Sequence, residues 1–368
     1  MGHRVKICFF LGGLTGGGIG RVTSILVNEM IKNPKYELYV LSYSPIKKED
    51  YIIDSQIHKS YFLEEHTSMA TAMLKGAVPK LKKFLQDNDI DILVSCGVLL
   101  SVLSVLSCKG IKTKCINWEH TSMFNGNKDF KLQMLARRYA AKKSDLNVVL
   151  TDKTESAYIQ KYQIPYDKVV RIYNPVDPLA YCSKEYDAES NNIISVGRLS
   201  YQKKFEDVIK VAREVLNTHN NWTWHIYGDG EEKERLQNMI DANNLQSKVI
   251  LKGRVTNIYD LYGRYAFIVM TSRYEGFPMT LLEAAGNRLP MISYDIETGP
   301  SEIIDDKRNG YLVEADNIVE LTDKVRILMN NENLREKMSQ ASYQTSLKFK
   351  LEEIAKEWET VFQNLLAK

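Results

Sequence analysis

The chain has 368 residues, 44% of them hydrophobic and 26% charged, enough for two domains that each bury a core. Net charge is +3 but uneven: residues 1–180 carry +8 and residues 181–368 carry −5, so the first half is the one suited to an anionic partner. Three features point to a cytoplasmic protein and exclude the membrane-spanning and disulfide-stapled classes: no run of ~20 apolar residues, a charged MGHRVK start unlike a signal peptide, and five scattered cysteines, Cys8, Cys96, Cys108, Cys115 and Cys182, without the paired spacing of a zinc site.

In chain order, RVKICFFLG is an apolar run followed by the glycine turn GLTGGGIGR and then VTSILVNEMIKN, whose apolar residues recur at helical spacing. ELYVLSY (37–43) predicts a second strand and residues 68–86 an amphipathic helix with Lys80, Lys82 and Lys83 on its polar side. IDILVSCG (90–97) and KTKCINWEH (112–120) are further strands, followed by helix KLQMLARRYAAKK (131–143) and strand DLNVVLT (145–151). The polar, irregular residues 176–192 are the expected linker. The rhythm then restarts with strands NIISVGRL, WTWHIYGDG, KVILKGRV, FIVMTSR, PMISYD and GYLVE, separated by helices and closed by helical residues 319–330, 332–347 and 350–366. This alternation predicts an α/β protein of two doubly wound, Rossmann-like domains, residues 1–177 and 190–349. In such sheets ligands gather at the carboxyl ends of the strands, and two facing sheets would form a cleft.

Several constellations fall at those strand ends. Gly16, Gly17, Gly18 and Gly20 join a strand to a helix, where the backbone can approach an anion closely or where glycine simply tightens the junction. The dinucleotide fingerprint GxGxxG is broken at its sixth position, and no acid closes the second strand, which disfavours a nicotinamide dehydrogenase. Trp118-Glu119-His120 ends a strand, which opens a functional reading for His120 beside a structural one. Arg198 and Lys203, in VGRLSYQKK, stand where two cations can hold a diphosphate, although on its own the stretch reads more simply as a solvated basic loop. Asp89-Ile90-Asp91 matches the metal-binding DxD pattern, but it precedes its strand and so lies at the wrong end of the sheet; no metal site is expected.

The stretch RYEGFPMTLLEAAG (273–286) carries two carboxylates. Pro278 suits the first turn of a helix, which puts Glu275 just before that helix and Glu283 inside it, among apolar side chains. An acid so placed wants a partner. The backbone N–H groups of Gly276, Phe277 and Met279 would make an electropositive pocket beside Glu275, and two carboxylates can grip two polyol surfaces, such as a sugar and a ribose.

Taken together, GGGIGR, WEH, YNPVD, VGRLSYQKK, YGDGEEKERL, LKGRV, SRYEGFPMTLLEAAGNRLP and GPSEII…NGYLV occur in the order found in family-4 retaining glycosyltransferases of the GT-B fold, which the chain resembles over nearly its whole length, most closely over 193–313. The resemblance implies that Arg198 and Lys203 hold the diphosphate of a nucleotide-sugar, that Glu275 binds sugar hydroxyls with the Gly276 and Phe277 backbone alongside, and that Glu283 binds the ribose. It further places Gly253 and Arg254 by the base, His120 by the donor sugar near the acceptor, and Gly17 and Gly18 near the phosphates. It also implies that the last helix (350–368) packs back on the first domain. One departure stands out: Lys204 replaces the glycine usual after QK.

The implied reaction moves a hexose or N-acetylhexosamine from a UDP-sugar, with retention and without a metal or cofactor, to a glycan or lipid-linked oligosaccharide of a bacterial cell surface. Nucleic acid is not an expected partner. The basic helix 131–143, with Lys131, Arg137, Arg138, Lys142 and Lys143, could rest on an anionic membrane or be an ordinary packed helix with a solvated face. The competing readings are a nucleotide-sugar epimerase of the same fold and an inactive transferase-like subunit, the latter disfavoured by the intact Arg198, Lys203, Glu275 and Glu283.

Overall fold

The computed structural model describes residues 4–15, 17–45, 47, 51–63, 72–73, 76–124, 130–181 and 186–367. They form two compact units, residues 1–175 with 351–368 and residues 176–350.

The first unit is a parallel sheet in the order β3-β2-β1-β4-β5-β6-β7. Its strands are β1 (Val5–Leu11), β2 (Tyr36–Ser42), β3 (His58–Tyr61), β4 (Ile92–Cys96), β5 (Lys114–Trp118), β6 (Leu146–Val149) and β7 (Val169–Arg171). Ile7, Cys8, Phe9, Phe10 and Leu11 are all fully buried, as expected for a central strand covered by helices on both faces. The edge strands β3 and β7 were not evident from sequence, because they are short and His58-Lys59-Ser60-Tyr61 has no apolar alternation. Two helices were also missed. Val98–Cys108 reads as apolar nearly all round, and its Ser101, Ser104 and Ser107 are buried, with hydroxyls bonded to Asn117 Oδ1 (2.6 Å), Ser95 Oγ (2.9 Å) and Leu103 O (2.8 Å). Asp152–Tyr162 starts at Thr151, whose hydroxyl accepts from the Thr154 N–H, an N-cap visible in the sequence only with hindsight. Of the helix expected over 68–86, Ala77–Asp87 is helical, while 68–71 and 74–75 lie outside the described residues.

Helix Leu351–Leu366 belongs to this first unit. Trp358 is fully buried and meets Trp118 (centroids 4.8 Å), Phe9 (6.3 Å) and Phe362 (5.5 Å). Aromatic pairs of this kind contribute about 0.5–1.5 kcal/mol each beyond their buried area.

The second unit is a parallel sheet in the order β10-β9-β8-β11-β12-β13. Its strands are β8 (Asn192–Val196), β9 (Thr223–Tyr227), β10 (Val249–Gly253), β11 (Phe267–Met270), β12 (Met291–Asp295) and β13 (Gly310–Glu314). The expected linker 176–192 begins inside this unit. Val176 N donates to Phe349 O (2.8 Å), and Asp177 accepts from the Tyr259 hydroxyl (3.0 Å). Cys182 lies outside the described residues; Cys8, Cys96, Cys108 and Cys115 are free and buried. No helix among the described residues is long and apolar enough to cross a membrane.

Both sheets change winding direction at their first strand, between β1 and β4 and between β8 and β11. Such switch points open a crevice at the strand carboxyl ends.

Candidate active site

At the switch point of the second sheet, the loop after β8 and the loop after β11 are tied to each other. Arg273 N donates to Gln202 O (2.8 Å), Gln202 Nε2 donates to Tyr274 O (2.9 Å), and the Thr271 hydroxyl donates to Lys203 O (3.0 Å) and Lys204 O (3.1 Å). This lacing brings Lys203 and Glu275 together: Nζ lies 2.6 Å from Oε1, with side chains only 15% and 10% exposed. Gln202 Nε2 adds a longer contact to Oε2 (3.4 Å), and the Thr298 hydroxyl donates to the Glu275 carbonyl. The Lys203 stem runs across Gly197, where a Cβ would come within 2.9 Å of Cε, so only glycine leaves that path open.

Arg198 stands apart from this pair. Its side chain is 73% exposed and reaches Glu231 at 3.1 Å. That is a solvated contact of small energy, which a diphosphate could displace at little cost. Glu283 is buried on helix Met279–Gly286 and accepts a hydrogen bond from the Tyr262 hydroxyl (3.1 Å). The buried acid therefore has a partner in the fold itself, one that sequence spacing did not reveal. Pro278 is the residue before the helix rather than within its first turn. The free N–H groups of the helix start accordingly begin at Met279. Phe277 is buried against Phe349 (5.7 Å), and Gly276 is half-buried beside it. Gly253 closes β10, its carbonyl accepting from Gly228 N (2.9 Å), and Arg254 follows, exposed.

Lys204 shows why a glycine is usual at its position. It adopts a left-handed backbone (φ 53°) immediately before helix Phe205–Leu216. Its ammonium turns inward to Asp207 (2.6 Å) and to Asp316, and Asp207 is also held by Lys210 and the Tyr294 hydroxyl. Lys204 thus compensates the buried Asp207 charge within the fold. Burial works against the Asp207 charge, but Lys204 and Lys210 outweigh it and lower its pKa.

In the first unit, Gly17 (φ 84°) precedes helix Gly18–Met30, and a Cβ there would meet nothing within 4 Å, so the turn leaves open space at the carboxyl end of β1. Gly18 is exposed, and Gly16 lies outside the described residues. His120 follows β5, its ring leaning on Trp118 (4.2 Å). Burial pushes its pKa down to about 3, against the opposing pull of Glu119, so the imidazole is neutral. Its Nε2 is buried and has no hydrogen-bond partner among the described residues.

The basic helix Phe130–Lys143 is not one uniform solvated face. Arg137 is 1% exposed and bonded to Glu119, whereas Leu135 (66%), Arg138, Tyr139 (38%), Lys142 and Lys143 are exposed. Asp89 and Asp91 both pair with Lys112, at 2.6 and 3.3 Å, before β4 and away from the strand carboxyl ends. Among the described residues there is no group of three or more His, Cys, Asp or Glu that could hold a metal.

The neutral histidines set a pH expectation. The folded pKa of His120 is about 3 and that of His225, also lowered mainly by burial, is about 4; an unfolded histidine takes its proton near 6.5. Between those values the unfolded chain binds more protons, so stability is complete above about pH 6.5 and falls as the pH drops. The expected slope is up to about 1.4 kcal/mol per pH unit for each histidine. Urea unfolding at pH 7.5 and 5.5 measures it, and His120→Gln should flatten the dependence; an unchanged slope in that variant would show that the imidazole is not held neutral.

The architecture has counterparts. A family model described as "Glycosyl transferases group 1" matches residues 183–345, and one described as "Glycosyltransferase Family 4" matches residues 16–178. The amylovoran biosynthesis glycosyltransferase AmsD of Erwinia amylovora is 30% identical over 364 residues, covering 97% of this chain and 99% of that protein. A glycosyltransferase of Haemophilus influenzae, itself described as uncharacterized, is 26% identical over 358 residues, or 97% and 99% of the two chains. Among solved structures, a variant of TarM from S. aureus, in complex with fondaparinux, α-GlcNAc-glycerol and UDP, superposes with a TM-score of 0.81 at 17% identity, covering 97% of this chain and 99% of that one. At that identity the likeness establishes the shared GT-B fold. The chain belongs to the family-4, group 1 glycosyltransferases.

Proposed function

We propose that this glycosyltransferase moves a hexose or N-acetylhexosamine from a UDP-sugar, with retention of configuration, to a glycan or lipid-linked acceptor in bacterial surface polysaccharide synthesis. The observation that carries the reading is the Lys203–Glu275 pair, a cation and a carboxylate 2.6 Å apart at the sheet's switch point. The ammonium suits a diphosphate and the carboxylate suits sugar hydroxyls. The name of AmsD, a polysaccharide biosynthesis enzyme, and the UDP bound to TarM support the acceptor and donor classes.

Breaking the anomeric bond leaves negative charge on the diphosphate. In this reading Lys203, Arg198 and the helix start at Met279 would face that growing charge, and stabilising it there would lower the barrier without a divalent ion. Glu283 with Tyr262 would take the ribose and Gly253 and Arg254 the base, and His120, Gly17 and Gly18 are the first unit's own candidates for substrate contact. Same-face attack by the acceptor hydroxyl, whose proton passes to the departing phosphate oxygen, accounts for retention with no protein nucleophile.

A thermal-shift panel of UDP-, GDP-, ADP- and dTDP-sugars with NADH tests the donor. At ~100 times its dissociation constant the true donor should stabilise by roughly 2.7 kcal/mol. Turnover with that donor should persist in excess chelator. A shift with NADH alone, or with a non-uridine donor, would remove the UDP-sugar reading, and metal-dependent turnover would remove the metal-free one. The exposed Leu135, Arg138, Tyr139, Lys142 and Lys143 favour contact with an anionic membrane as part of the same proposal. Co-sedimentation with anionic vesicles should be lost in Leu135→Glu; equal binding by that variant would place the contact elsewhere.

A further inference from the structure

The turn that carries His120 is fixed from beneath and not by the imidazole. Glu119 Oε1 accepts from the backbone N–H of Thr121 (3.0 Å) and from its hydroxyl (2.6 Å), so the carboxylate ties the residue before His120 to the residue after it. Glu119 Oε2 accepts from Arg137 Nε (2.6 Å) and from the Tyr158 hydroxyl (3.1 Å). Arg137 also donates through Nη2 to the Thr121 hydroxyl (3.0 Å), and Glu119 N donates to Val148 O (2.9 Å), locking the turn to β6. The Arg137 and Glu119 side chains are each 1% exposed. Burial works to raise the Glu119 pKa, but the Arg137 charge and the Thr121 donors outweigh it, so the carboxylate stays ionised.

A buried ion pair is a poor source of stability, because desolvation cancels most of its attraction and an apolar replacement is often no worse. What such a pair can supply instead is a defined geometry for the turn that carries His120. His120 has no other anchor among the described residues than its contact with Trp118, and its Nε2 is unengaged. A ligand-binding group must be held within a fraction of an ångström by its surroundings to act well.

We infer that Arg137 and Glu119 are positioning residues for the reaction, holding His120 so that Nε2 meets the substrate. The inference rests on the proposed role of His120. It assigns helix Phe130–Lys143 a share in the active site, through Arg137, as well as a surface.

A double-mutant cycle on the full chain tests it. UDP release is measured from UDP-glucose, UDP-galactose and their N-acetylated counterparts, using whichever is turned over fastest. The variants are His120→Ala, the neutral pair Glu119→Gln with Arg137→Met, and all three changes together. His120→Ala and the neutral pair should each lower kcat, the pair by about 100-fold, the loss expected from misplacing a reacting group by about 1 Å. Because the pair acts through His120, the triple variant should be no slower than His120→Ala alone. Multiplying losses, or a folded neutral pair with wild-type kcat, would overturn the inference. If His120→Ala itself keeps full turnover, the role of His120 in the proposed function fails first, and the positioning role fails with it. Melting temperature checks folding, and if the neutral pair does not fold, Tyr158→Phe and Thr121→Val take its place in the same cycle, each removing one donor to Glu119.

Discussion

Lys203→Ala is expected to lower turnover by about 10²- to 10³-fold, the usual loss when one preorganised charge is removed from a developing anion. The structure adds a complication. The lysine is also the ion-pair partner of Glu275 at 2.6 Å, so alanine leaves a mostly buried carboxylate without its cation. Some loss of melting temperature should therefore accompany the loss of rate. Lys203→Met separates the two effects, because it keeps the stem that lies across Gly197 while removing the charge. Steady-state UDP release and thermal unfolding of both variants are the measurements. Turnover within a few-fold of wild type in a folded Lys203→Met protein would place the diphosphate elsewhere.

For Glu275→Ala the expected results run in opposite directions for two ligands. Turnover of the UDP-sugar should fall by about 10- to 150-fold, corresponding to the loss of charged hydrogen bonds worth roughly 1.5–3 kcal/mol. Binding of UDP alone should tighten, because the carboxylate no longer neutralises Lys203 or repels the incoming diphosphate. Calorimetric titration with UDP, set beside the rate with the intact donor, distinguishes this from a collapsed site, in which both would weaken. UDP affinity that falls together with the rate would sink the assignment of Lys203 to the diphosphate and Glu275 to the sugar.

These expectations show which parts of the site could be read from the sequence. The doubly wound architecture was legible because short apolar runs such as Ile7–Leu11 alternate with longer stretches of helical period, the pattern of strands covered by helices on both faces. Lys203 and Glu275 were each legible as residues beyond a strand, but their pairing was not. It depends on β8 and β11 being neighbours, and on Gln202 and Thr271 lacing the two loops. Glu283 was legible as a buried acid that needed a partner, and the partner, Tyr262, lies 21 positions earlier on a different helix. Arg137 was misread for a similar reason. In a helix with five basic residues and no acid, composition implies a solvated face, and only the fold shows that one of the five turns inward to Glu119. Lys204 was noted as a departure from the usual glycine, yet its role in charge compensation for Asp207 required the geometry of helix Phe205–Leu216.

The last helix has a consequence for how the protein is made. The second unit is one uninterrupted stretch, 176–350, whereas the first is assembled from the two ends of the chain. During synthesis the second unit can therefore complete its core while the first still waits. Until Trp358 emerges from the ribosome, Phe9 and Trp118 lack the indole that packs against them, and the domain made first is the domain finished last.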